Sequence, residues 1–218
     1  MKELSNEQIA KRCARDIPDG SYVNLGIGIP TLISNFVDNK EIFFQSENGI
    51  LGLGESPKKG DEDFDLVNVS AEPVTLVNGG TFVNHVDSFV MIRGGHLDIS
   101  VMGSFQVSEN GDLANWITDP NAIPGIGGAM DLAKGAKKVF VTMKHTTREG
   151  GQKILKKCTF PLTAEGVVKR VFTDLAVIDI TEEGLVLKEL VPGISIDKIQ
   201  ELTEAKLIIK DQVLPLIP

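Results

Sequence analysis

Short apolar runs of strand length alternate with helix-patterned segments along this chain, and that alternation limits it to few architectures. Glu41–Gln45 holds Ile42, Phe43 and Phe44 in a row. Asp98–Met102, Val139–Met143 and Leu175–Ile180 are similar runs, and Ser21–Leu25 is a shorter one. Strands apolar on both faces must be covered on both faces, as in parallel sheets whose crossovers are helices. Helices are expected at Ser5–Asp16, Thr31–Val37, His85–Ile92, Ala129–Ala136, Glu165–Arg170 and Ile196–Leu202. In the first, Ser5 and Gln8 form a capping box, and Ile9, Cys13 and Ile17 share one face. Asn78-Gly79 between Val74–Val77 and Thr81–Val83 predicts a hairpin. The expected fold is α/β: an open, mostly parallel sheet with helices on both faces and some antiparallel hairpins. No repeat or long linker divides residues 1–218, so a single domain is expected.

Charge and termini narrow the function classes. Thirty acidic against 22 basic residues give a net charge of −8, which argues against nucleic acid as partner. The N-terminal segment lacks the apolar core of a signal peptide, and no stretch is apolar enough to span a bilayer. A cytoplasmic protein without membrane association is expected. Cys13 and Cys158 read as reduced, packed thiols. His85, His96 and His145 lack ligand spacing to one another or to the cysteines, so no metal site is expected.

Familiar phosphate-binding motifs fail on single residues. Gly26-x-Gly28 follows a strand, but Thr31 replaces the third glycine of a dinucleotide fingerprint. Gly49 and Gly54 have the spacing of a phosphate loop, but Glu55 stands where the lysine belongs. What remains is a carboxylate at a strand end in Gln45-Ser46-Glu47-Asn48-Gly49, a glycine cluster Gly125-Ile126-Gly127-Gly128 before a helix, and Arg93-Gly94-Gly95-His96.

The Ser-Glu-Asn-Gly tetrapeptide occurs twice, at 46–49 and 108–111. Polar flanks make the second a solvent-facing hairpin turn with Glu109 as surface charge. The first follows Ile42-Phe43-Phe44, where a central parallel strand is expected to emerge, and ligands of open α/β sheets bind outside the carboxyl ends of strands. Glu47 in that position is open to use as a general base or as a nucleophile. Metal ligation lacks partners. Backbone N–H groups at Gly127-Gly128 suit an oxyanion, and a thioester suits the missing histidine. A thiolate with a conjugate pKa of about 8.5 departs without a strong general acid.

Several segments together resemble one family. Phe44–Gly52 is similar to the active-site signature of the β subunit of family I coenzyme A transferases. Val23–Thr31, Met91–His96, Gly111–Trp116, Gly127–Leu132 and Lys156–Thr163 resemble further family segments in family order, over about Gln8 to Lys210. The two-subunit acetoacetate, butyrate and succinyl-CoA:3-ketoacid transferases are the most similar by motif. The resemblance implies an open α/β fold and a glutamyl-CoA thioester on Glu47, with the Gly128 amide as oxyanion donor. It implies substrate or CoA contacts around Gly26, Gly28, Asn48, Gly49, Gly125 and Gly127. CoA is then a substrate, with no resident cofactor. The partner implied is an α subunit, usually as α2β2, with acyl-CoA and small carboxylates as ligands. A non-catalytic acyl-CoA or sugar-phosphate sensor, or an isomerase using Glu47 as base, is the alternative on this fold.

The chain departs from the usual family pattern at Asp119–Pro124, at Ser70-Ala71-Glu72 and at Asn84-His85, and these departures bear on acyl-chain specificity. Lys153, Lys156 and Lys157 are cationic candidates for CoA phosphate, but read first as a solvated face.

Overall fold

The computed structural model of the chain describes residues 3–37, 40–119, 121 and 125–218. In chain order the elements are α1 (Asn6–Arg15), β1 (Tyr22–Leu25), a 3-10 helix (Ile29–Phe36), β2 (Phe43–Ser46), β3 (Ile50–Leu53), β4 (Leu76–Phe82), α2 (His85–Arg93), β5 (Ile99–Met102), β6 (Gln106–Ser108), β7 (Leu113–Ala114), α3 (Ala129–Gly135), β8 (Lys138–Thr142), β9 (Ile154–Leu155), β10 (Val168–Phe172), β11 (Ala176–Thr181), β12 (Gly184–Leu190), α4 (Ile196–Glu201), β13 (Leu207–Ile208) and β14 (Leu214–Pro215).

The main sheet runs β13-β12-β11-β10-β8-β5-β1-β2-β3-β4, with β14 also paired to β12. Its centre, from β10 through β8, β5 and β1 to β2, is parallel throughout. The flanks β10–β11–β12 and β2–β3–β4 are antiparallel. All four residues of β5 are buried, as a strand covered on both faces requires. A smaller sheet, β7-β6-β9, lies beside it.

The Ser5 capping box is formed as its spacing implies: Ser5 Oγ accepts from the Gln8 N–H, and Gln8 Oε1 accepts from the Ser5 N–H. Ile9, Cys13 and Ile17 are fully buried beneath α1. His145 belongs to the core, its ring held between the hydroxyls of Thr173 and Thr203, 3.0 Å from each. Burial pushes its pKa down to about 4.

Four local expectations are corrected. The helix expected at Thr31–Val37 is a 3-10 helix spanning Ile29–Phe36, with Pro30 in its first turn. Glu165–Arg170 is not helical: Gly166 turns the chain at φ +64°, and Val168 begins a strand parallel to β8. The β-branched Val167, Val168 and Val171 favour that outcome. Asn78-Gly79 does not make a hairpin either. Residues 76–82 form one strand, and the register jumps from Leu51↔Thr81 to Leu53↔Leu76, so Asn78-Gly79 forms a bulge. The bulge fits because Gly52 and Gly80 meet backbone to backbone; a Cβ on Gly52 would lie 2.7 Å from the Gly80 Cα. Finally, β2 is parallel only to β1; its other neighbour, β3, is antiparallel, so β2 ends the parallel run.

Candidate active site

Both Ser-Glu-Asn-Gly copies are hairpin turns. Residues 47–49 turn β2 into β3 with Ser46 paired to Ile50, and residues 109–112 connect β6 to β7. The second is the expected turn, the first is one as well, and their surroundings separate them. Glu109 sits half-exposed on the small sheet. Glu47 leaves β2 at the carboxyl end of the main sheet and lines a cavity of about 650 Å3.

The floor of that cavity follows from the topology. β2, β1, β5 and β8 are adjacent and parallel, so their carboxyl ends share one edge. Glu47 follows β2, Gly26-Ile27 follow β1, Met102-Gly103 close β5, and Thr142-Met143-Lys144 close β8; all line the cavity. Gly125 to Ala129 contribute the wall that leads into α3.

A buried amide chain fixes β2 beneath its turn. Asn24 Nδ2 donates to Gln45 Oε1 at 2.7 Å and to the Gln45 carbonyl at 3.1 Å, and Gln45 Nε2 donates to Ser88 Oγ at 2.6 Å. These side chains are essentially inaccessible, so each amide orientation is enforced by its neighbour. Gly49 adopts φ +111°, and a Cβ there would fall on the Val83 carbonyl; the turn therefore needs glycine. Asn48 faces outward and donates to the Val67 carbonyl at 2.8 Å.

Glu47 is half-buried, and among the described residues its carboxylate accepts no hydrogen bond. Burial raises its pKa; His85 opposes that shift and Asp131 adds to it. His85, read as isolated from the sequence, thus faces Glu47 from the first turn of α2, with its ring 4.7 Å from that of Phe89. Phe89 in turn packs against Gly128, and Arg93 lies over the Phe89 ring while pairing with Asp131 at 2.7 Å. A Cβ on Gly128 would stand 2.7 Å from Phe89 Cζ and 3.0 Å from Glu47 Oε2. The Gly128 N–H finds no backbone acceptor among the described residues.

Of the residues singled out in the sequence, Glu47, Gly26, Gly125, Gly127 and Gly128 meet at this cavity. Gly28, Asn48 and Gly49 are not on its wall; Gly28, at φ +90°, launches the 3-10 helix. Lys156 and Lys157 are exposed, as a solvated face would be. Lys153 is not: it is half-buried and lines the cavity, and the sequence carried no signal of it beyond its charge.

A Coenzyme A transferase family model matches residues 6–202. The chain belongs to the coenzyme A transferase family. It is 53% identical over 208 residues to the B-type subunit of the 3-oxoadipate CoA-transferase of Pseudomonas putida, covering 95% of this chain and 98% of the relative. It is 50% identical over 200 residues to the B-type subunit of the succinyl-CoA:3-ketoacid coenzyme A transferase of Helicobacter pylori, covering 92% and 97%. The fold matches that of an acyl-CoA transferase from Escherichia coli O157:H7 with a TM-score of 0.77 at 20% identity, over 99% of this chain and 44% of that one. The mostly parallel sheet with antiparallel flanks is thus the architecture of this transferase family.

The contact at Gly128 yields a sharp expectation. Gly128 has φ −83°, a conformation any residue adopts, so Gly128→Ala does not strain the backbone itself. The new methyl instead displaces Phe89 or the Glu47 carboxylate. A misplacement on the scale of 1 Å costs on the order of 100-fold in rate. Gly128→Ala is therefore expected to lower kcat about 100-fold with an unchanged circular dichroism spectrum; a variant with wild-type kcat would dissociate Gly128 from the chemistry.

Proposed function

We propose that this transferase chain moves CoA between a short-chain acyl-CoA and a carboxylic acid, with Glu47 as nucleophile and the Gly128 amide as oxyanion donor. The observation that carries the assignment is the proximity of a desolvated carboxylate, without a hydrogen-bond partner among the described residues, to a glycine whose N–H has no backbone acceptor among them. The Glu47 carboxylate attacks the thioester carbonyl and expels CoA thiolate, giving a mixed anhydride. The thiolate then attacks the glutamyl carbonyl and releases the donor acid, leaving glutamyl-CoA. An acceptor carboxylate reverses both steps. No proton is transferred at any stage, which suits a site where the nearest imidazole, His85, is exposed. An N–H aimed at the developing oxyanion contributes about 2.7–4 kcal/mol in comparable sites. Gly26, Gly125 and Gly127 would let the pantetheine arm approach the backbone closely.

Relatives at half identity are named as acting on 3-oxoadipate or on succinyl-CoA and a 3-ketoacid, which supports acids of that size as substrates here. Each of them is named as one subunit of its enzyme, which supports a partner subunit here; an α subunit in an α2β2 assembly in the cytoplasm is the arrangement we propose. Exposed Phe82, Val86, Val90 and Met130 on β4, α2 and α3 flank the site and would be covered by that partner.

The test uses the chain co-purified with its partner subunit. Acyl-CoA without acceptor is expected to leave CoA covalently on the peptide spanning Gln45–Gly49, and borohydride should convert Glu47 there to an alcohol. Donor and acceptor varied together should give parallel double-reciprocal lines. Intersecting lines with an unmodified peptide would replace the covalent route with direct ternary transfer.

A further inference from the structure

The cavity wall at the end of β8 carries more donors than the chain satisfies. Asp174 is the carboxylate there, and it is already engaged: Oδ1 accepts from the His145 N–H at 2.8 Å, and Oδ2 lies 3.4 Å from Lys144 Nζ. Lys144 also donates to the Leu4 carbonyl at 2.9 Å. Lys153 enters the same neighbourhood from the segment before β9. Among the described residues its ammonium has no hydrogen-bond or ion-pair partner, although Asp174 acts on it through space. Two lysines face one aspartate, which leaves a single positive charge. Burial lowers the Lys153 pKa, as it does for an amine without a close anion.

Resting on the CoA-transfer reading, we propose that Lys153 binds the distal carboxylate of a dicarboxylic substrate whose other carboxyl reacts at Glu47. The shared cavity supports the pairing of the two residues on one substrate. Glu47 follows β2 and Lys153 precedes β9, and the two line one and the same cavity of about 650 Å3. A monocarboxylic acid anchored at Glu47 leaves Lys153 unpaired; a dicarboxylic acid neutralises it. The competing anion is CoA phosphate. A nucleotide bearing several phosphates calls for several solvated cations, whereas this end of the cavity offers one surplus charge in partly desolvated surroundings. Lys153 is thus a specificity determinant and takes no part in bond making.

The experiment compares succinate and butyrate as acceptors from acetoacetyl-CoA, using the complex with its partner subunit. Lys153→Met keeps the side-chain length and removes the charge. It is expected to lower kcat/KM for succinate on the order of 10- to 100-fold, the usual worth of a charge-assisted hydrogen bond, and to leave butyrate within about threefold. Lys153→Arg should retain part of the succinate preference. The butyrate arm reports on folding and on the chemistry at Glu47. Equal losses for both acids, no loss for either, or a raised KM for acetoacetyl-CoA with acid selectivity unchanged would each overturn the proposal; the last would assign Lys153 to CoA phosphate. Wild-type transfer to butyrate but not to succinate would also overturn it and leave CoA transfer standing. No transfer to any acid would sink the CoA-transfer reading itself.

Discussion

Glu47→Gln is expected to abolish CoA transfer, whereas Glu109→Gln leaves it within about threefold of wild type. The amide keeps the shape of the side chain and the β2–β3 turn, so the loss isolates the nucleophile. Removing a residue that forms the covalent bond typically costs on the order of 10⁴-fold or more. Glu109 is the natural control, since the same tetrapeptide surrounds it. Its N–H donates to the Leu155 carbonyl at 2.8 Å and holds the turn of the small sheet, but the residue does not line the cavity. Both variants should unfold at the wild-type denaturant midpoint. A dead Glu109→Gln beside an active Glu47→Gln would mean the wrong carboxylate has been chosen. Loss in both, with normal folding, would mean that the two turns cooperate in a way their separation in the fold does not explain.

The contrast between these two glutamates shows how far the sequence could be read. Apolar runs identified β1, β2, β5, β8 and β11 within a residue or two, because burial on both faces leaves a continuous hydrophobic record. The capping box identified α1 for an equally local reason. Failures came where distant residues decide. Asn78-Gly79 has the local chemistry of a hairpin, but Gly52 on the neighbouring strand accepts a bulge, and nothing near residue 78 encodes that. Glu165–Arg170 was open to a helix until pairing with β8 claimed it. The same division holds at the site. Glu47 and the Gly125–Gly128 cluster were legible as motifs. The approach of His85 to Glu47, the packing of Phe89 on Gly128 and the entry of Lys153 into the cavity depend on crossovers that bring separate segments to one sheet edge.

The largest stability effect is expected far from that edge, at Arg12. This residue stands on the buried face of α1, with its side chain 7% exposed. Its Nε donates to Glu189 Oε2 at 2.7 Å, a second nitrogen pairs with the other Glu189 oxygen, and Nη1 donates to Asp16 at 2.7 Å. Asp16 also receives Arg170 from β10, and Arg170 pairs with Asp179 across the β10–β11 ladder, one of those bonds being 2.9 Å. The network therefore ties α1 to β10, β11 and β12. Burial works against the Arg12 charge, but hydrogen bonds to Glu189 and Asp16 outweigh it and hold the guanidinium pKa above its usual value. Arg12→Met leaves Glu189, whose side chain is 11% exposed, as a buried carboxylate without its partner. Breaking one side of such a pair costs about 3–5 kcal/mol, a large share of the roughly 5–15 kcal/mol that holds a typical protein folded. Urea unfolding should show a much lower midpoint with an unchanged slope. Because the cost is that of an orphaned charge, adding Glu189→Leu to Arg12→Met should recover most of it, while Arg170 continues to hold Asp16. A single-variant loss below about 1 kcal/mol, or a double variant no better than the single, would mean that water reaches the pair and that packing alone secures α1.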